Sequence, residues 1–137
     1  MSASHPSTTL PGDSSLALKL ARNIAGEVLF DRASRGRYST DASIYQMEPL
    51  GVIVPETIDD VAAALAIARE EGIPVLPRGG GTSQCGQTVN RALVIDCSKH
   101  LRRVLHVDAA NQRALVEPGL VLGHLNKAIA GDRKSVV

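Results

Sequence analysis

A run of small and polar residues between two apolar stretches is the part of this sequence best suited to bind a ligand. It reads PRGGGTSQCGQ and spans residues 77–87. Each glycine costs roughly 0.5–1 kcal/mol of stability relative to alanine, so three in a row indicate positive φ or a closely approaching neighbour. Successive N–H groups in such a turn can form a nest for an anion, with Thr82 and Ser83 adding hydroxyls and Arg78 a cation at the rim. The pattern predicts a phosphate or pyrophosphate site, and a flexible surface loop is the alternative that the residues leave open.

Two familiar glycine motifs do not describe this loop. A P-loop requires a lysine directly after its last glycine, and Gln87 follows Gly86. A dinucleotide-binding fingerprint requires a third glycine where Gln84 stands, and it opens a helix, whereas a strand is predicted next. Any bound anion would therefore be held by loop amides without the support of a helix.

The other groups with chemical potential have simpler explanations. His100, His106 and His124 are separated by six and eighteen residues, which matches no compact metal-ligand pattern. Asp59 and Asp60 fall at a predicted helix start, where negative charge faces the helix dipole favourably. We therefore name no metal ligand and no catalytic residue.

A predicted strand, helix and strand precede the loop and must position it. Residues 51–54 (GVIV) are a short β-branched run typical of a buried strand, and residues 73–76 predict a second. Between them Thr57 is the predicted N-cap and Gly72 the left-handed stop of a helix. Short links of this kind predict parallel strands. The predicted buried stripe of the helix comprises Ile58, Val61, Ala62, Leu65 and Ala68.

The remaining elements lie on either side of this unit. Asp13 or Ser14 should cap a first helix reaching about Phe30, with Ala17, Leu20, Ala21, Ile24 and Val28 on one face. The polar residues 31–49 lack either period and should cross the surface. Residues 92–96 predict a third strand, 102–108 and 112–119 a hairpin, and 120–130 a last helix. In that helix Leu122, Leu125 and Ile129 should point inward.

Composition narrows the class of protein. The chain is 44% hydrophobic and 21% charged, with a formal net charge of +1, which argues for a globular protein and against nonspecific nucleic-acid binding. No apolar run approaches the roughly 20 residues of a membrane span. The polar start lacks the features of a secretory signal, and Cys85 and Cys97 lack a CxxC spacing. We expect reduced thiols and a cytoplasmic location, with peripheral membrane association of a longer protein left open. Cys85, inside the loop, would be reactive if its surroundings lowered its pKa.

Several ordered blocks carry a family resemblance. These are PRGGGTSQCGQ, GVIVPETIDDVAAALAIAREEGIP before it, and ALVIDCSKHLRRVLHVD and ALVEPGLVLGHLN after it. Together they resemble the FAD-binding domain of the p-cresol methylhydroxylase and vanillyl-alcohol oxidase type. RYSTDASIYQMEPLGVIVP and GGGTSQCGQ resemble especially the D-2-hydroxyacid dehydrogenases (D-lactate, glycolate and D-2-hydroxyglutarate) that append an iron–sulfur region. The likeness covers about residues 36–130.

The resemblance implies an α+β, two-lobed FAD-binding domain. Its first lobe is βαββ, complete here, and its second lobe is truncated. It further implies an FAD-dependent oxidoreductase that passes a hydride from C2 of a D-2-hydroxy acid to flavin N5, and an iron–sulfur cluster only downstream. Thr82 stands about where some relatives attach the flavin to histidine, so we expect non-covalent FAD. The residues expected to bind it are Pro77, Arg78, Gly79, Gly80, Gly81, Thr82, Ser83, Gln87 and Thr88.

Other readings stay open. A related FAD enzyme could act on a sugar alcohol, a lactone or a cell-wall precursor, and a third reading is a phosphate- or nucleotide-binding module without redox chemistry. The electron acceptor is not predicted. We divide the chain into a tail, helix and connector (1–45), a partial FAD-binding domain (46–130) and a tail (131–137). DRKSVV (132–137) matches a translated sequencing-library adapter, so we expect the tail to be non-native read-through, with a native basic tail as the alternative.

Overall fold

A computed structural model describes residues 10–130 as an α+β fold with two separate sheets. Residues 1–9 of the predicted 1–45 segment and the whole 131–137 tail lie outside the described residues. The elements, in chain order, are α1 (Ser14–Ala21), β1 (Glu27–Leu29), α2 (Arg32–Arg37), β2 (Gly51–Val54), α3 (Ile58–Glu70), β3 (Val75–Arg78), β4 (Leu93–Asp96), β5 (Val104–Asp108), β6 (Arg113–Val116) and α4 (Leu122–Ile129).

The larger sheet has the strand order β1-β2-β4-β3. Both β2 and β3 pair in parallel with β4, with Val94 between Val52 and Leu76. The parallel orientation predicted for β2 and β3 is therefore confirmed, although β4 lies between them. The β2-α3-β3-β4 order is the predicted βαββ lobe, and it leaves β3, the strand leading into the glycine loop, at the sheet edge.

The first helix is shorter than predicted. Asp13 caps α1 as expected, but the helix ends at Ala21, and Glu27–Leu29 form a strand instead of helix. This strand pairs antiparallel with β2, so Val28 lies opposite Ile53. Val28 was the last residue of the apolar face predicted for the longer helix. It is instead half-buried in β1, because β1 pairs with β2.

Both ends of α3 are as predicted, but its buried face is not. The Thr57 hydroxyl accepts the Asp60 N–H, and Gly72 follows at φ +63°. Of the predicted buried stripe, Ile58 and Leu65 are 53% and 44% exposed, and Ala62 is exposed as well. Only Ala68 is fully buried, and Val61 is half-buried. The buried residues of the helix are Asp60, Ala64, Ile67 and Ala68. The predicted face counted only apolar residues as buried. It therefore missed Asp60, whose buried carboxylate lies on the face that the helix packs inward.

The connector and the last helix also differ from the prediction. Residues 32–37, predicted to be irregular, form the short helix α2 with Asp31 as N-cap, and Ser34 and Ser39 are buried. The predicted hairpin is present as β5 and β6, and α4 also forms. No residue of α4 is fully buried. Of its predicted inward face, Leu125 and Ile129 are half-buried and Leu122 is 69% exposed.

Two backbone hydrogen bonds continue the pairing of β5 with β6 beyond the ends of these strands. The N–H of Gly119 donates to the carbonyl of Leu101 at 2.8 Å, and that of Glu117 to the carbonyl of Arg103 at 2.9 Å. The buried Glu117 carboxylate also accepts bonds from the Arg103 side chain, at 2.7 and 2.9 Å. These bonds lower the pKa of Glu117. Glu117 therefore stabilises the base of the hairpin. Gly119 lies where the hairpin meets the first sheet, because a Cβ there would meet the carbonyl of Cys97, the residue that follows β4.

Candidate functional site

The glycine loop follows β3 at the sheet edge, and its first two glycines meet open space. A Cβ at Gly79 would have no heavy atom within 4 Å, and one at Gly80 would meet only the Thr82 methyl at 3.7 Å. Neither has a left-handed φ. Neither the fold nor the backbone conformation therefore requires glycine at these positions, whereas close approach by a ligand would require it.

The backbone amides of this part of the loop are free to bind a ligand. Within residues 10–130, the N–H groups of residues 79–83 have no hydrogen-bond acceptor in the backbone or the side chains. Because β3 is the edge strand, no neighbouring strand covers them. Successive unpaired N–H groups next to space clear of Cβ atoms are the donor set of an anion-binding nest.

The other two glycines of the loop shape it. Gly81 has φ +68°, and a Cβ there would lie 2.5 Å from Nη2 of Arg78. Gly86 has φ +78° and lies against the ring of Tyr45. The Ser83 hydroxyl donates to the side-chain carbonyl of Gln87 and closes the turn between them.

The Arg78 side chain is bonded within the protein, to backbone on both sides of the loop. Its Nη2 donates to the carbonyl of Thr40 at 2.8 Å, and its Nη1 to the carbonyls of Thr88 and Tyr38 at 3.0 and 3.4 Å. Its guanidinium also lies 5.3 Å from the centre of the Tyr38 ring, within the range of a cation–π contact. The guanidinium thus binds the backbone at three places and contributes positive charge next to Gly81.

Three residues that the sequence analysis did not select complete the surroundings of Arg78. The Tyr38 hydroxyl donates to the buried Asp96 carboxylate at 2.6 Å, and burial together with this bond raises the pKa of Tyr38 to about 12. The Thr88 hydroxyl donates to Asp41 at 2.8 Å. Hydrogen bonds from Ser43 and from Thr88 lower the pKa of Asp41 to about 2. The one sequence signal was Asp-x-Ser at 41–43, typical of a side chain that caps its own turn.

The predicted site residues thus divide into two groups. Gly79, Gly80, Gly81, Thr82 and Ser83 present free amides, and Pro77 lies exposed on β3. Arg78, Gln87 and Thr88 make bonds within the protein. Cys85 is exposed in the loop, and Cys97 is buried, which raises the pKa of its thiol.

Neither a cluster of metal-ligating side chains nor a membrane-spanning helix is present among the described residues. No three His, Cys, Asp or Glu side chains within residues 10–130 come together as metal ligands. None of the helices in the same range has the length and apolar character to cross a bilayer.

The fold is that of the FAD-binding part of flavoproteins of the p-cresol methylhydroxylase type. The structure is similar to 4-ethylphenol oxidase from Gulosibacter chungangensis (TM-score 0.72, 22% identity, 91% of this chain and 27% of that one). It is also similar to p-cresol methylhydroxylase (TM-score 0.70, 20% identity, 93% and 26%). At these identities the likeness establishes the fold alone.

Sequence comparison establishes the family. A family model described as FAD binding domain matches residues 49–136, and the chain belongs to this family. It is 37% identical over 109 residues to D-2-hydroxyglutarate dehydrogenase from Pantoea ananatis (strain AJ13355), and 36% identical over 111 residues to glycolate oxidase subunit GlcD from Bacillus subtilis (strain 168). Each alignment covers 77% of this chain, which spans 11% of the first relative and 23% of the second.

Proposed function

We propose that this chain supplies the pyrophosphate-binding lobe of an FAD-dependent oxidoreductase that oxidises a D-2-hydroxy acid. The observation that carries the proposal is the pair of glycines, Gly79 and Gly80, that face open space beside five unpaired N–H groups. Membership of the FAD-binding domain family makes FAD the natural occupant.

The donor set suits a pyrophosphate in shape and charge. N–H groups can approach phosphate oxygens closely only where no Cβ intervenes, which Gly79 and Gly80 provide. The Thr82 hydroxyl is a further donor, and Arg78 supplies a positive charge next to Gly81. When bound, the flavin would supply the redox chemistry by accepting a hydride, while this lobe would bind and orient it.

The substrate class rests on the relatives. D-2-hydroxyglutarate and glycolate are both 2-hydroxy acids, and the proteins named for acting on them are 37% and 36% identical to this chain. We also propose that FAD is held non-covalently, because Thr82 stands about where some relatives carry the histidine that bonds to the flavin. Release of the flavin on acid precipitation would test this, and retention would contradict it.

Replacing both open glycines by alanine should weaken FAD binding without unfolding the protein. In Gly79→Ala/Gly80→Ala, the new methyl groups meet no protein atom closer than 3.7 Å but occupy the space proposed for the pyrophosphate. We expect the Kd for FAD to rise at least about tenfold, with an unchanged circular dichroism spectrum. Isothermal titration calorimetry with FAD, ADP and riboflavin measures the effect and identifies the part of the cofactor that is recognised.

The control is Gly123→Ala in α4, where a Cβ also meets nothing within 4 Å. We expect this variant to bind FAD like the wild type. Equal affinities of the wild type for FAD and ADP would favour a nucleotide-binding module over a flavoprotein. Wild-type affinity in the double variant would contradict pyrophosphate binding at this loop.

A further inference from the structure

Residues 38–47, which we call segment 38–47, pack against the glycine loop. This segment lies outside the matched family region, which begins at residue 49. Its Ala42 N–H donates to the carbonyl of Gly81 at 3.1 Å, and the ring of Tyr45 lies against Gly86. The segment therefore contacts both glycines at which the loop changes direction.

Two further attachments hold segment 38–47 in place. The Arg78 guanidinium binds the carbonyls of Tyr38 and Thr40 on the segment and that of Thr88 at the far end of the loop. The Thr88 hydroxyl in turn donates to Asp41. Because the pKa of Asp41 is about 2, this carboxylate accepts the bond at every pH near neutrality. One cation and one hydroxyl thus tie both ends of the loop to a segment distant in sequence.

The contacts of the Arg78 guanidinium hold it in one orientation. It binds three carbonyls and lies beside the Tyr38 ring. It also fills the space next to Gly81, because a Cβ there would clash with Nη2 at 2.5 Å. A lysine would keep the charge but would lose the planar fork and the stacking on the ring.

We propose that Arg78 is a positioning residue for the cofactor: it clamps segment 38–47 to the glycine loop and so fixes the amides of residues 79–83, instead of binding the pyrophosphate directly. This inference rests on the proposed function, since the amides are those assigned to FAD. It adds segment 38–47 to the cofactor site and gives Thr88 and Asp41 the same role as Arg78.

The test combines hydrogen exchange without ligand and FAD titration of the same variants. In Arg78→Lys we expect faster exchange of the Ala42 amide and its neighbours in segment 38–47, and a Kd for FAD raised about tenfold. Thr88→Val should act in the same direction by about threefold, while Thr88→Ser, which keeps the hydroxyl, should restore wild-type values. Because both side chains hold one segment, the double variant should raise the Kd by less than the product of the single effects.

Arg113→Lys on the exposed β6 is the matched control and should change neither quantity. If exchange in segment 38–47 is unchanged in Arg78→Lys, the clamp is wrong. If exchange rises while FAD affinity stays at the wild-type value, the positioning role is wrong. Should Arg78→Lys fail to fold, the Thr88→Val and Thr88→Ser pair makes the same distinction. Wild-type protein that exchanges as expected but does not bind FAD would overturn the proposed function itself.

Discussion

Asp60→Asn is expected to lower the free energy of unfolding by about 3 kcal/mol, because the Asp60 carboxylate joins three parts of the chain. It accepts the N–H groups of Ala25 at 2.9 Å, Gly26 at 3.1 Å and Glu56 at 2.9 Å. An asparagine amide would place a donor against at least one of these donors. Since Gly26 precedes β1 and Glu56 precedes α3, the loss should separate the edge strand from the helix.

The pH dependence gives this prediction a second readout. Burial raises the pKa of Asp60, but the bonds from Ala25, Glu56 and Gly26 outweigh it, and the net pKa lies below the usual 3.8. A carboxylate with a lowered folded pKa stabilises the fold above its unfolded pKa, and this contribution is lost as the pH falls through the folded pKa. Urea unfolding should therefore show a constant difference between wild type and variant above about pH 5, shrinking below about pH 4.

Asp59→Asn is the matched control, because Asp59 is the exposed neighbour of Asp60 in the same first turn of α3. Its loss should remove only a favourable interaction with the helix dipole, worth about 0.5 kcal/mol. Equal destabilisation by the two substitutions would show that first-turn charge, and not the buried bonds, accounts for the stability.

Gly119→Ala is the second large effect, expected to destabilise the fold by about 3 kcal/mol. A Cβ at Gly119 would lie 1.9 Å from the carbonyl oxygen of Cys97 and 2.7 Å from that of Leu101. Both atoms belong to backbone, so no side-chain rotation relieves the clash. The chain would have to move β4 and the hairpin apart at their junction, and urea unfolding followed by circular dichroism would measure the loss.

Gly123→Ala, four residues further along, should have the opposite sign. Gly123 lies within α4 with open space around its Cβ position, so alanine should stabilise the helix by about 0.5–1 kcal/mol. If Gly119→Ala proved as harmless as Gly123→Ala, the close backbone contact between the two sheets would be wrong.

Local features of the fold could be predicted from the sequence because their causes lie within a few residues. The Asp13 and Thr57 caps and the left-handed Gly72 each depend on adjacent backbone, and all three are present. The end of α1 and the orientation of α3 could not be predicted in this way. They depend on the pairing of β1 with β2 and on the bonds of Asp60 to residues about 35 positions away.

In the candidate site, too, the features with local causes could be predicted and those that depend on distant residues could not. Composition was sufficient to find the loop and to predict free amides there. It could not distinguish Gly79 and Gly80, which face open space, from Gly81, which has positive φ and lies beside Arg78. It also could not predict the hydrogen bonds of Arg78, since the carbonyls that accept them belong to residues up to 40 positions away.

The most direct test of the central claim is a ¹⁵N–¹H NMR titration of the chain with FAD. The account predicts that the largest chemical-shift changes fall on the amides of residues 79–83, with smaller changes in segment 38–47 and none in the β5–β6 hairpin. Saturable FAD binding that leaves the amides of residues 79–83 unshifted would contradict it.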